Sequence, residues 1–334
     1  MQFDQLKRRH FITLLGGAAA WPLAARAQQG ERVRRIGVLQ PFAANDPEAQ
    51  PRVSALQRRL QELGWADGHN VLIDYRWAPG DTAHIRAEAA DLVGLKPDVI
   101  VGSSSPVVMA LRAETLTIPI LFVQVIDPVA LGFVTSLARP GGNVTGITTF
   151  EFTMGGKWLE ILKEISPQLA RVAVLYNPKT AAGAGSLLRS IAAAASSFAM
   201  ELTDTPVQDA AETGRAINAF AQRSNGGLLV LPDASNLLHR DLIIARAAHH
   251  RLPAIYPFRF LAVSGGLVSY GTDAADAHRQ IASYVDRILR GTKAEELPVQ
   301  APNKFELVLN LKTAKALGLT VPPSLLARAD EVIE

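Results

Sequence analysis

Asp98-Val99-Ile100-Val101-Gly102-Ser103-Ser104-Ser105-Pro106 is the stretch on which the fold turns. Its short apolar run, bounded by turn-forming residues, reads as a buried strand. The three serines lead straight into a helix spanning Ser105 to Thr115. Working outward on the N-terminal side, the apolar run Arg34 to Gln40 is a strand, and Val53, Leu56, Leu60 and Leu63 mark a helix that stops at Gly64. Val71 to Trp77 is a second strand, followed by a helix from about Thr82 to Leu95. On the C-terminal side, Pro119 to Val123 is a further strand. Strands and helices therefore alternate, the pattern of a parallel sheet covered on both faces.

The same grammar restarts after Arg139-Pro140-Gly141-Gly142-Asn143. Strands are expected at Val172–Tyr176, Gly227–Leu231 and Ala254–Tyr256, with helices at Gly185–Met200, Ala211–Arg223 and Leu238–His250. Gly266 to Gly271, a helix of about Ala275 to Arg290, a strand from Lys304 to Asn310 and a short helix from Lys312 to Leu317 complete the chain. The expected fold is α/β: two doubly wound Rossmann-like lobes without sequence repeat between them. The tail crosses between the lobes, and three crossing segments make a hinge. Lobe one is expected over 33–148 plus about 272–295, and lobe two over 149–271 plus about 305–334.

The chain has 334 residues, 48% hydrophobic and 19% charged, enough apolar content for a large core. It has no Cys, which excludes disulfides, thiolate nucleophiles, Cys-ligated zinc and iron–sulfur clusters. The N-terminus reads as an export signal at 1–27: Lys7-Arg8-Arg9, an apolar stretch from Phe11 to Ala20, and Ala25-Arg26-Ala27 as the cleavage site. The Arg8-Arg9 pair fits a twin-arginine signal, and an ordinary secretory signal is the other reading. The formal charge of +3 resides in this segment, and cleavage after Ala27 leaves a neutral chain. No basic field then remains to argue for nucleic acid. A soluble, periplasmic protein is expected.

In an open parallel sheet, ligands bind beyond the carboxyl ends of the strands. Those ends supply the candidate residues. Gln40 closes the first strand. Ser103, Ser104 and Ser105 join a strand to a helix N-terminus, where hydroxyls, unpaired N–H groups and the helix dipole suit a carboxylate. Helix capping needs only one serine, so the run of three points to ligand contact at Ser104 or Ser105. Gln124 and Asp127 follow the fourth strand. In the second half the ends offer Asn177, Asp233, Tyr256 and Tyr270. Asp127 and Asp233 suit an ammonium group or a turn, Asn177 a ligand contact or a turn, and the two tyrosines either a ligand wall or core packing.

Catalytic motifs are missing. Gly102-Ser103-Ser104-Ser105-Pro106 fails the nucleophile-elbow pattern at its last position. There is no P-loop sequence, and Gly183-Ala184-Gly185 lacks dinucleotide-binding spacing. The histidines are scattered, no pair of carboxylates is spaced for acid and base work, and neither a metal nor a cofactor is expected.

The chain resembles the ABC-transporter substrate-binding protein family typified by tryptophan- and tyrosine-binding importer components. The resemblance rests on Thr117-Ile118-Pro119-Ile120, Asp127-Pro128-Val129, Ser136 to Gly146, Arg251-Leu252-Pro253-Ala254-Ile255-Tyr256, Gly265 to Gly271, Lys304 to Leu319 and Pro322 to Ile333. It implies a type I periplasmic-binding-protein fold with a ligand clamped between the lobes. The family's binding loops match Ser103 to Ser105 and Gln124 to Asp127 in lobe one, and Asn177, Asp233 and Tyr256 in lobe two. Ile126, where the family often has a small residue, and Ala130-Leu131 depart from its pattern. The implied function is an extracytoplasmic receptor for a small carboxylate-bearing solute, an amino acid or aromatic acid. Its partners are an ABC permease with its ATPase, and a monomer is expected. A ligand-sensing subunit of a membrane signalling protein and an extracytoplasmic enzyme are the alternatives.

Overall fold

The computed structural model describes residues 32–79, 82–148, 151, 153–302 and 304–334. The expected export segment, 1–27, lies outside the described residues. Five short apolar runs make the first sheet: β1 (Arg34–Gln40), β2 (Val71–Trp77), β3 (Val99–Ser103), β4 (Ile120–Val125) and β5 (Val144–Thr148). Their order is β2-β1-β3-β4-β5, with every neighbour parallel. β3, β4 and β5 are buried along their whole length, as strands covered on both faces must be. Helices α1 (Ala49–Glu62), α2 (Thr82–Gly94) and α3 (Ser105–Glu114) make the crossovers. The strand order reverses between β1 and β3, so the crevice for a ligand opens where these two strands end.

The second lobe runs α4 (Met154–Ile165), β6 (Arg171–Tyr176), α5 (Ala184–Ser197), β7 (Glu201–Pro206), α6 (Ala210–Phe220), β8 (Gly226–Val230), α7 (Ala234–Leu238), α8 (Arg240–His249), β9 (Ala254–Tyr256), α9 (Arg259–Val263) and β10 (Val268–Thr272). The chain then returns to the first lobe as α10 (Ala274–Leu289). Ile281, Ala282, Val285 and Leu289 of α10 pack against Ile36, Val38, Leu56 and Val101. It finishes in the second lobe with β11 (Phe305–Asn310), α11 (Leu311–Leu317), α12 (Pro323–Leu326) and β12 (Glu331–Ile333). The second sheet has the order β12-β11-β10-β9-β8-β6-β7, parallel except for the β10–β11 pair. The chain passes between lobes three times: between Thr148 and Met154, between Thr272 and Ala274, and between Gln300 and Phe305.

Several elements differ from the sequence reading. β5 was not expected as a strand; it follows the Arg139–Asn143 break, pairs with β4 and completes the first sheet. α1 begins at Ala49, four residues before the expected Val53, since Pro51 fits the first helical turn. The expected helix from Leu238 to His250 starts earlier and is divided at His239 into α7 and α8. α4, β7 and α9 were not expected. The segment returning to lobe one runs past 295: Thr145 donates to the Leu297 carbonyl and Gln300 N–H donates to the Gly146 carbonyl. Among the described residues, no helix is long and apolar enough to cross a membrane.

Candidate functional site: a polar cluster between the lobes

The ends of β1 and β3 converge on one buried histidine. His278, in the first turns of α10, lies against Gln40 and Ser103. Its Nδ1 sits 2.7 Å from the Ala274 carbonyl, so that nitrogen carries the proton and Nε2 is an acceptor. Burial, helped by the Arg52 charge, pulls its pKa down to about 3, so the ring is neutral. Gln40 Nε2 and Ser103 Oγ, each 3.1 Å away, both donate to Nε2. This fixes the Gln40 amide and leaves its buried Oε1 without a hydrogen-bond partner.

Ser104, just after β3, and Gln124, at an irregularity within β4, adopt unusual backbone conformations. Ser104 has φ 84° and ψ 154°, a region nearly reserved for glycine. Gln124 has φ 59°, and the register of β4 against β5 shifts at this residue. Such strain persists where the surroundings over-determine it, often at ligand clamps. Ser104 Oγ and Gln124 Nε2 are both buried and unpartnered. Ser105 is buried as the first residue of α3.

Arg52 is the residue that the sequence reading missed. It is only 2% exposed, on the buried row of α1 that continues through Leu56 and Leu60. Its guanidinium lies 4.5 Å from the Phe42 ring and 5.9 Å from Phe258 of the other lobe. Nη1 donates to Gln124 Oε1 at 2.9 Å, whereas Nη2 has no partner. Burial lowers its pKa to about 10, against the opposing pull of Glu48, Asp46 and Asp273. Among the described residues no carboxylate comes within 4.0 Å of it. The signal available in the sequence was its i, i+4, i+8 spacing with Leu56 and Leu60, which puts a charge on an otherwise apolar helix face.

The second lobe's polar candidates are turned toward their own backbone. Asp233 caps α7: Oδ1 accepts from Asn236 N–H (2.8 Å) and Thr180 Oγ (3.1 Å), and Oδ2 accepts from Asn177 N–H (3.0 Å). Burial outweighs these bonds and raises its pKa to about 6. Asn177 donates from Nδ2 to the Gln208 carbonyl and accepts at Oδ1 from Lys179 N–H, which is turn chemistry. Asp127 accepts from Ala130 N–H (2.9 Å) and, across the lobes, from Ser186 Oγ (2.7 Å).

Two cavities follow the lobe boundary. A small one of about 20 Å³ is lined by Pro41, Ser104 and Gln124 from the first lobe and Pro232, Asp233 and Phe258 from the second. A larger one of about 380 Å³, on the hinge side, is lined by Glu48, Arg52, Phe258, Arg259, Thr272 and Asp273, among others. Phe258 belongs to both. Structure thus brings together Gln40, Ser103, Ser104, Gln124 and Asp233. Tyr256 lies elsewhere: it is buried in the second lobe's core, where its ring packs over Gly266. Tyr270 stacks on Phe305 and lines a separate surface cavity with Met154 and Phe198. Ile126 is buried in the second lobe's core cluster together with Phe42 and Ala49, so its bulk helps seat one lobe on the other. Among the described residues, no group of three or more His, Asp and Glu is arranged to hold a metal ion.

Two Rossmann-like lobes, three crossings and a polar cluster at the strand ends between them define a type I periplasmic-binding-protein fold. The chain belongs to the family of ABC transporter substrate binding proteins, which matches residues 35–333. It is 26% identical over 290 residues to a tyrosine-binding protein of Clostridioides difficile, covering 86% of this chain and 82% of that one. A solved conserved domain protein from Vibrio cholerae is 31% identical, with a TM-score of 0.84 over 90% of this chain and 99% of that one. An ABC domain from Streptococcus pneumoniae solved in complex with L-Trp is 24% identical, with the same TM-score and the same coverage, a likeness of fold.

Proposed function

We propose that this protein is the extracytoplasmic solute receptor of an ABC importer, capturing a small carboxylate-bearing solute, an amino acid or aromatic acid, between its lobes. The observation that carries this reading is the cluster of buried, unpartnered polar atoms on Arg52, Ser104, Gln124 and Gln40 at the lobe boundary. Buried polar groups are otherwise almost always satisfied, and a carboxylate accepts from several donors at once. The relatives named as binding tyrosine and L-Trp support the same solute class. The first lobe then comprises 33–148 with the returning segment from about 272, and the second comprises 149–271 with about 305–334. Gln40, Ser103, Ser104, Ser105 and Gln124 form the first lobe's side of the site. Asp233 and Phe258 form the second lobe's wall.

A solute that touches both lobes favours the closed arrangement, which the monomeric receptor presents to a permease and its ATPase. The export signal at 1–27 delivers the protein to the periplasm. A thermal-shift screen of the purified protein against amino acids, aromatic acids and short dicarboxylates tests the reading. A solute at 100 times its dissociation constant adds about 2.7 kcal/mol of stability. A stabilising solute recovered chemically unchanged is the expected result. A solute consumed on binding, or no stabilisation by any carboxylate, would contradict the proposal.

A further inference from the structure

The geometry points to a second binding site, for an organic ammonium ion, in the cavity beside the hinge that Phe198, Tyr270 and Phe305 wall and Glu151 edges. This cavity has a volume of about 330 Å³, a size that small-molecule pockets occupy. It shares no lining residue with either cavity at the lobe boundary. The inference therefore stands apart from the receptor reading and its solute.

The crossings place the aromatic wall. Glu151 and Thr153 lie in the first crossing, Tyr270 two residues before the second, and Phe305 at the end of the third. Phe305 faces Thr272 in the antiparallel β10–β11 register, so Tyr270 and Phe305 are diagonal neighbours on one face of the sheet. Their rings stack 17° from parallel with centroids 5.8 Å apart. Trp158 of α4 donates to the Tyr270 carbonyl at 2.7 Å and ties this face to the helix. Phe198, just past α5, supplies the third ring. Aromatic faces carry negative potential and attract cations, and several rings around one cation form a cage.

Charge agrees with the rings. Three charged residues line the cavity: Glu151, Lys157 and Glu160. Lys157 Nζ donates to both Glu160 oxygens at 2.9 Å, and Arg328 lies 3.7 Å from the same carboxylate, so these charges cancel among themselves. Glu151 accepts only from the Thr153 hydroxyl, at 3.3 Å, and among the described residues has no cationic partner. Burial raises the pKa of Tyr270, and the charges of Glu151, Glu160 and Asp330 raise it further, which marks negative potential at this wall. The first turn of α4 also reaches the cavity, and its dipole attracts anions. A series of probes that differ in charge alone therefore decides the class.

The test is calorimetric titration of the purified protein with three probes of one shape: cationic choline, neutral 3,3-dimethylbutan-1-ol and anionic 3,3-dimethylbutyrate. Choline is expected to bind tenfold or more tightly than the alcohol, and the anion more weakly than either. Glu151→Gln, which keeps the size and removes the charge, is expected to weaken choline binding at least fivefold. Tyr270→Leu, which keeps an apolar wall and removes a ring, is expected to do the same. Equal binding of the three probes, a preference for the anion, or no choline binding at millimolar concentration overturns the inference. So does choline binding that both substitutions leave unchanged, because the ion would then sit elsewhere. Should Tyr270→Leu fail to fold, the wild-type charge series and Glu151→Gln still decide. None of these outcomes bears on whether the protein is a solute receptor.

Discussion

Ser186 of the second lobe donates its hydroxyl to Asp127 Oδ2 of the first at 2.7 Å. This bond spans the cleft beside Gly183, where an added side-chain carbon would meet Leu131. It works with the Asp46–Arg240 ion pair and the packing of Phe42 and Ile126 into the second lobe to hold the lobes together. Asp127 also supports its own turn through Ala130 N–H, so Ser186→Ala is the cleaner probe. A hydrogen bond to a charged group contributes about 1.5 kcal/mol, roughly a tenfold change in the closing equilibrium. The ligand-free variant should show a larger radius of gyration in small-angle scattering and weaker solute binding. An unchanged radius together with unchanged affinity would show that the contact does not latch the lobes.

Ser104 holds a strained backbone at the proposed solute site. Its φ of 84° with ψ of 154° is strained for any residue with a side chain. Glycine relieves that strain, which is worth about 1–3 kcal/mol, and loses part of the gain to the entropy of the unfolded chain, about 0.4–1 kcal/mol. Ser104→Gly should therefore unfold at a higher urea concentration than wild type while binding the solute more weakly. Ser104→Ala keeps the strain and loses the hydroxyl, so it should weaken binding without stabilising. Equal stability of the two variants would mean the backbone there is not under strain.

Gly271 sits in β10 one residue before the crossing at Thr272. A Cβ there would lie 1.9 Å from the Pro257 carbonyl oxygen, a backbone atom that cannot swing aside. Gly271→Ala should cost about 1–3 kcal/mol or more, the range for forced overpacking. The urea midpoint reads this directly, and a loss near zero would show that the hinge can shift at little cost.

The sheet-forming runs at Arg34–Gln40, Val99–Ser103 and Ala254–Tyr256 were legible because buried parallel strands are near-continuous apolar runs. β7 was not. Glu201-Leu202-Thr203-Asp204-Thr205-Pro206 is an edge strand that pairs only with β6, and its polar residues and closing proline are what an edge tolerates. β5 was hidden by Gly146, a residue that weakens strand signals yet is required here, because a Cβ would meet the Phe122 carbonyl oxygen at 2.2 Å. In the candidate site, the rule of strand ends pointed to Gln40, Ser103, Ser104 and Gln124, which lie together at the lobe boundary. It could not find Arg52, which enters from a helix face and whose burial depends on both lobes. Nor could it orient Tyr256 and Tyr270, whose side chains follow strand alternation and the packing of the second lobe.

Asp233 and His278 give the fold two opposing responses to acid. Asp233 has its pKa raised to about 6 from an ordinary 3.8. Between those values the native state holds a proton that the unfolded chain does not, so this group stabilises the fold as pH falls through that window. His278 has its pKa lowered to about 3 from an ordinary 6.5. Below 6.5 the unfolded chain takes up a proton that the native state refuses, so this group destabilises the fold as pH falls. Each proton is worth at most about 1.4 kcal/mol per pH unit. His278→Gln retains an acceptor for Gln40 and Ser103 and removes only the second response. Relative to wild type, it should lose less stability as pH falls from 6.5 to 4. Asp233→Ser retains a cap for α7 and should lose more over about pH 6 to 4. Urea midpoints measured at intervals from pH 7 to pH 4 make the comparison. Parallel profiles for the three proteins would show that neither group titrates differently in the folded and unfolded states.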